Sequence, residues 1–491
     1  MKRSTFVSSA AGAMIVTALP PLSKRALASD VVDYSLTAAP FTFSPSAGTA
    51  FASLAYDGHL PGPLLRVTHG QRVRVAFTNK TDIDTTIHWH GMILPNDMDG
   101  VAGVTQPPVK PGGTFLYEFA PNPPGTRWYH DHAGQLGTVR GLFGMFIVDD
   151  PHDTPADREF ALVFHDVPSM ESVHAAMRGT SSAPMVDPPG SVENAEMAAS
   201  MSMPGMTMSD MDMSSMKMGD EVAYRAHCIN GASYPATQRL QVKVGDRVRL
   251  RILNANPTQT RYIRLAGHRL RVTHSDGNPL ERPLEVDVLR IGVAERYDAW
   301  FEVTKPGAWL LQGLSVDPLV YQQACVVSTP GMEGAAPMGS PPSIAGLDVF
   351  SYEKAGGIGS AVDERGVTKR VPMLLGGGKY GSSIWSIDGK QWPNTPKIDV
   401  RRGDRVLVSF TNKTDMDHPM HLHGHTFRIV SIDGKPLARP LAKDVSLVPA
   451  NGGTLSWIFD ADSPPGRWLL HCHNEIHMMD GMMTEVRYLT S

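Results

Sequence analysis

The sequence is poor in three things, and each shortage excludes a class. It has 3 cysteines in 491 residues, Cys228, Cys325 and Cys472, far apart and odd in number, so a disulfide framework is not expected. It has no basic excess: 45 Lys and Arg stand against 49 Asp and Glu, a net charge of −4, so the footprint of a nucleic-acid partner is missing. It also lacks an apolar run long enough to span a bilayer. The one candidate, about Ala10 to Leu19, follows Lys2 and Arg3 and precedes Ala26-Leu27-Ala28, which has the small-x-small form of a cleavage site. That order predicts a removable export signal over residues 1–28 and a periplasmic or secreted mature protein with no membrane span.

Turn chemistry, in contrast, is abundant. With 46 Gly and 39 Pro in a chain of this length, the expectation is a β-rich protein of two to four domains. An internal repeat sharpens this. "LRVTHGQRVRVAFTNKTDIDTTIHWHG" (65–91) matches "IDVRRGDRVLVSFTNKTDMDHPMHLHG" (398–424), and "PPGTRWYHDH" (123–132) matches "PPGRWLLHCH" (464–473). In each long copy apolar and polar residues alternate as in a strand, "TNKTD" reads as a turn, and a histidine-bearing strand follows. A third copy, "LQVKVGDRVRLRILNANPTQTRYIRLAGH" (240–268), begins alike but lacks the paired histidines. The fold expected is therefore all-β: three Greek-key β-sandwiches, over residues 30–150, 158–330 and 366–491. The Pro/Gly/Ala-rich stretch 329–346 reads as a linker between the last two. The stretch 197–220 carries nine methionines among Ser, Asp and Gly, without the branched residues a core needs, and reads as a low-complexity insertion.

Four histidine motifs stand at matching points of the outer copies: "HWH" (88–90), "HDH" (130–132), "HPMHLH" (418–423) and "HCHNEIHMMDGM" (471–482). Residues i and i+2 of a strand share a face, so each H-x-H aims two imidazoles into one space. A polar cluster of that size is costly to bury unless a metal uses it. If His471 and His473 face one way, Cys472 faces the other. A thiolate, two imidazoles and a weak thioether make a blue-copper environment, and Cys472, His477, Met482 and His418 supply that set. Ten motif histidines less these two leave eight.

Over nearly the whole mature chain these motifs resemble the multicopper oxidases of the laccase and cuprous-oxidase type, whose three domains are cupredoxin-like. The resemblance implies four copper ions: one type 1, one type 2 and two type 3. By position, type 1 copper would take His418, Cys472, His477 and the axial Met482. Type 2 would take His88 and His421. One type 3 ion would take His90, His130 and His473, the other His132, His423 and His471. The trinuclear site would lie between the first and third domains, with the middle domain a spacer. Electrons from a reductant would pass through Cys472 to its neighbours, and dioxygen would be reduced to water.

Asp99 in "NDMDG" matches an acid that the family uses beside the trinuclear site, against the plainer reading of a turn aspartate before Gly100. Met478 stands where many bacterial relatives have a glutamate, with Glu475 and Asp480 as possible substitutes. His227, His268, His274 and His425 match no ligand position. The reductants expected are Cu(I), because thioethers prefer it, and small phenols or aromatic amines. Asp415, Met416 and Asp417 form a candidate Cu(I) docking point. A role in copper tolerance follows from the same resemblance, and a monomer is expected. The alternative, from another class, is a periplasmic copper-storage protein that works through its methionine-rich segment.

Overall fold

The segment Arg72–Asn79, RVRVAFTN, alternates along nearly its whole length, and it forms a strand that buries Val73, Val75 and Phe77 while turning its arginines to solvent. Burying each such side chain stabilises the fold by about 1.5–3 kcal/mol. Its neighbours are Val31–Phe43 in parallel and Thr114–Phe119 antiparallel. The same trio recurs as Arg158–Pro168, Arg247–Asn254 and Arg296–Glu302, and again as Lys369–Gly377, Arg405–Asn412 and Thr454–Asp460. Parallel neighbours cannot be joined by a hairpin. In every copy the chain therefore crosses to the opposing sheet and back between them, through Leu65–Thr68, Leu240–Gln241 or Ile398–Val400. That excursion gives the Greek-key path.

The computed structural model describes residues 31–178, 221–315, 322–332, 343–377 and 384–489. The expected signal segment 1–28 and the methionine-rich stretch 197–220 lie outside the described residues. Six sheets form three sandwiches, of four and four, six and five, and six and five strands. The second and third have the same strand order throughout. The all-β, three-domain cupredoxin-like architecture expected above is the one the chain adopts. No helix among the described residues is long and apolar enough to cross a membrane.

One staple repeats in all three copies. Asn79 Nδ2 donates to the carbonyls of Ile83 and Val109, both at 2.8 Å; Asn254 does the same to Gln259 and Ile291, and Asn412 to Met416 and Val448. These bonds close the turn that leads into the next strand, which in the outer copies carries histidines. In the middle copy that strand, Arg261–Leu265, turns Ile263 and Leu265 into the core instead. The three sandwiches meet around a small apolar cluster that includes Trp128, Phe143, Leu253, Val293 and Val445.

Candidate metal centres

Strands His88–His90 and Gly125–His130 pair with His88 opposite His130, and strands His418–Leu422 and Arg467–Cys472 pair with His421 opposite His471. The period of two separates the faces as expected. Trp89 and Leu422 enter the cores of their own sandwiches, while the flanking histidines face outward into one space between the first and third. There the imidazoles group with ligand atoms inside 4.8 Å of one another: His88 with His421 and His423, His90 with His130 and His473, and His132 with His423 and His471. The approach across the chain is close: His132 Nε2 is 3.4 Å and His423 Nε2 2.9 Å from His471 Nε2.

The outer ring nitrogens are held. Nδ1 donates to the carbonyl of Asp99 from His88 at 2.8 Å, of Asp131 from His130 at 2.9 Å, of Asp444 from His421 at 2.7 Å and of Cys472 from His471 at 2.8 Å. His423 Nδ1 donates to Asp99 Oδ2 at 3.0 Å, and Asp99 Oδ1 lies 3.3 Å from His88 Nδ1. A proton fixed on Nδ1 leaves Nε2 with its lone pair free. Accordingly Nε2 of His88, His130 and His421 is buried without a hydrogen-bond partner, as are Nε2 of His90 and both ring nitrogens of His473. Burial and neighbouring imidazoles hold His90, His130, His132, His421, His423 and His473 far below the ordinary histidine range, and His471 at about 4. Neutral imidazoles with inward lone pairs and no protein partner fit a metal cluster and fit little else.

On the other face of strand Arg467–Cys472, Cys472 Sγ stands 3.6 Å from His418 Nδ1 and 3.5 Å from His477 Nδ1, and the two nitrogens are 3.0 Å apart. Metal–nitrogen and metal–sulfur bonds of about 2.0–2.3 Å put ligand atoms at such separations. Met482 is fully buried, its N–H bonded to His477 O at 2.9 Å and its carbonyl to Cys472 N at 3.0 Å. Thr414 Oγ1 fixes His418 through Nε2 at 2.8 Å. The short helix Glu475–Met479 presents His477, and Asn474 caps it by accepting from Ile476 N and His477 N.

The first sandwich has the same pocket with other chemistry. Counting from Asn79 and Asn412, Thr85 occupies the place of His418, and Asp131 stands where Cys472 does. Thr85 Oγ1 donates to Asp131 Oδ1 at 2.5 Å, closing with one hydrogen bond the space that the third sandwich lines with ligands.

Three functional neighbours carry no sequence signal. Glu221 is buried with Oε2 3.3 Å from His477 Nε2, and it accepts from Asn474 Nδ2 at 2.9 Å. Trp385 packs against His477 with the rings tilted by 31° and 3.7 Å between ring centres. Asp444, which no motif singles out, sits behind His421 and His90, with Oδ1 3.4 Å from His90 Nδ1. Of the docking residues, Asp415 is exposed, Met416 is half-buried against the core, and Asp417 is paired with Arg290 while accepting from Ala450 N at 2.9 Å.

Glu475 is buried, and burial beside Asp131 pushes its carboxyl up to about 8; burial beside Glu221 pushes Asp480 up to about 7. His227 pairs with Asp166 at 2.9 Å, and His425 bonds the Tyr488 hydroxyl at 2.8 Å and, through Nδ1, the carbonyl of His423 at 2.8 Å; neither belongs to a ligand group. A cavity of about 380 Å³ opens beside the cluster, lined by His132, Val101, Trp392, Met478, Met479 and Asp480 among others.

Comparison with known proteins agrees with this geometry. Three family models described as multicopper oxidase match residues 38–153, 203–317 and 367–490. A multicopper oxidase of Mycobacterium tuberculosis is 34% identical over 458 residues, covering 90% of this chain and 84% of that protein. A copper resistance protein A homolog of Pseudomonas syringae is 25% identical over 540 residues, covering 90% of each. The crystal structure of a multicopper oxidase from Pseudomonas thermotolerans superposes with a TM-score of 0.67 at 27% identity, covering 94% of this chain and 99% of that one.

Proposed function

Since the chain belongs to the multicopper oxidase family, an oxidoreductase family that binds copper, we propose that it couples one-electron oxidation of Cu(I), and of small phenols and aromatic amines, to four-electron reduction of dioxygen to water. The observation that carries this reading is the meeting of His88, His90, His130 and His132 with His421, His423, His471 and His473, five of them with a buried Nε2 that has no hydrogen-bond partner. Type 1 copper is assigned to His418, Cys472, His477 and Met482, and type 2 to His88 and His421. The type 3 pair is assigned to His90, His130 and His473 on one ion and His132, His423 and His471 on the other. When bound, the coppers supply one-electron redox chemistry at the first site and dioxygen reduction at the second.

The chain's own contribution is connection and orientation. Cys472 is covalently continuous with His471 and His473, and its carbonyl holds His471 Nδ1 at 2.8 Å, so the two sites share one rigid strand end. Glu221 Oε2 places a carboxylate 3.3 Å from the outer nitrogen of His477. Asp99 holds imidazoles from both halves of the cluster and is assigned as the acid that exchanges protons there. Asp415, Met416 and Asp417 are the proposed Cu(I) docking point, with the stretch 197–220 gathering the ion. Export to the periplasm and a part in copper tolerance complete the reading.

Eight fixed imidazoles serve no purpose in a copper-storage protein, which needs labile thioethers. Oxygen uptake by the full chain and by a variant lacking residues 197–220 separates the two. Phenol oxidation retained with Cu(I) oxidation lowered fits the enzyme, and no oxygen uptake by either, at full copper loading, fits storage.

A further inference from the structure

We propose that Arg296, on the middle sandwich, is a positioning residue of the trinuclear site: it holds Asp444 as hydrogen-bond acceptor for His90 and His421. This rests on the trinuclear reading above and assigns the middle sandwich a part in the site, beyond that of a spacer.

The contacts are those of a clamp built from all three sandwiches. Arg296 grips Asp444 with both arms, Nη1 to Oδ1 at 2.7 Å and Nη2 to Oδ2 at 2.6 Å. Arg127 of the first sandwich adds Nη1 at 3.3 Å from Asp444 Oδ2. All three side chains are fully or almost fully buried. The guanidinium of Arg296 is itself fixed by the carbonyls of Ala294 at 3.0 Å, Thr126 at 3.2 Å and Asp276 at 3.3 Å. The middle sandwich holds the main chain of Asp444 as well, because Asp276 Oδ2 accepts from Asp444 N at 3.2 Å and from Val445 N at 3.1 Å. Both the carbonyl that takes His421 Nδ1 and the carboxylate beside His90 Nδ1 are thus set by residues 276 and 296.

Two further features tie the clamp to the metal site. Asp444, His90 and His421 form by themselves a group of potential metal ligands within 4.8 Å of one another. The atoms that meet Asp444 there are the Nδ1 atoms, on the side of the rings away from the cluster, so its carboxylate serves as their acceptor, and a bidentate guanidinium fixes both its oxygens. His90 Nδ1 faces Arg296 Nη1 at 3.5 Å and Asp444 Oδ1 at 3.4 Å. A guanidinium only donates, so with Nε2 reserved for metal the Nδ1 proton of His90 has Asp444 as its acceptor. The fit is tight: a Cβ on Gly91, whose φ is +80°, would lie 2.4 Å from Arg296 Nη2 and 2.6 Å from Asp444 Oδ2. An ion pair is costly to bury, and this one is buried against two imidazoles of the cluster.

The test uses the copper-loaded full chain and reads type 2 copper by electron paramagnetic resonance and by copper per chain, with the blue absorption of the Cys472 site as internal control. Arg296→Met should weaken type 2 retention by about 10–100-fold, the range for lost outer partners of ligating histidines, and alter its hyperfine signal while the blue absorption stays. Arg296→Lys, which keeps charge without the fork, should fall between. The double variant Arg296→Met/Asp444→Asn removes the unpaired buried charge, so it carries the test if the single variant does not fold, and its type 2 signal should still be altered. A folded Arg296→Met or double variant with wild-type type 2 affinity and hyperfine signal overturns the proposal. A fully loaded wild type without any type 2 signal overturns the trinuclear reading beneath it.

Discussion

Asp99 Oδ2 lies 3.0 Å from His423 Nδ1, so a carboxylate from one end of the chain orients an imidazole from the other. Its second oxygen is 3.3 Å from His88 Nδ1, and the next residue, Gly100, has φ +82° and no room for a Cβ against the Ile87 carbonyl. Asp99→Asn keeps the shape and one acceptor oxygen but loses the negative charge, the second acceptor and the acid. Turnover should drop by about 10–100-fold with the blue colour unchanged, as followed by oxygen uptake and absorption on one preparation. Unchanged turnover would return Asp99 to the role of a turn residue.

Cys472 is fully buried, and burial pushes its thiol well above the ordinary range until a cation stabilises the thiolate. Cys472→Ser should abolish the blue absorption and the oxidation of every reductant while copper still binds at the eight imidazoles. A blue Cys472→Ser protein would contradict the assignment of the type 1 site.

The convergence of the histidines was legible in the sequence for a simple reason. A strand repeats every two residues, so H-x-H states in the primary structure which side chains will share a face. The three-sandwich plan was legible because TNKTD and NAN build the same staple from Asn79, Asn254 and Asn412. Glu221, Asp444 and Arg296 were not legible. Each is brought to a histidine distant in sequence by the docking of sandwiches, and none lies in a pattern of its own. The middle copy, expected only to separate the other two, reaches the cluster through Arg296. The pair Thr85 and Asp131 could have been found by carrying the repeat alignment through to the residues that replace His418 and Cys472.

Met482 is the thioether expected at the axial position, and a thioether there lowers the potential relative to a side chain that cannot coordinate. Met482→Leu is close in volume, so a stability cost below about 1.5 kcal/mol is expected. The type 1 potential should rise, as read by redox titration of the blue absorption. A lower or unchanged potential would remove Met482 from the ligand set.

His165, in the middle sandwich, is buried, accepts from Gly231 N at 3.1 Å, and is depressed by burial from 6.5 to about 4. A histidine lowered in the folded state contributes its full stability above the unfolded value of 6.5, and that contribution is lost as pH falls toward 4. The loss is on the order of 2 kcal/mol by pH 5. His165→Gln should therefore show a shallower decline of unfolding free energy between pH 7 and pH 5 than the wild type, measured by urea denaturation of the copper-free protein. Parallel declines would show that His165 does not titrate on unfolding.

The most direct measurement is anomalous X-ray scattering at the copper edge from crystals of the loaded protein. One peak is expected enclosed by His418, Cys472 and His477, and three close together where residues 88–132 face residues 421–473. Copper bound to the two histidine sets in separate places, or absent from between them, would contradict it.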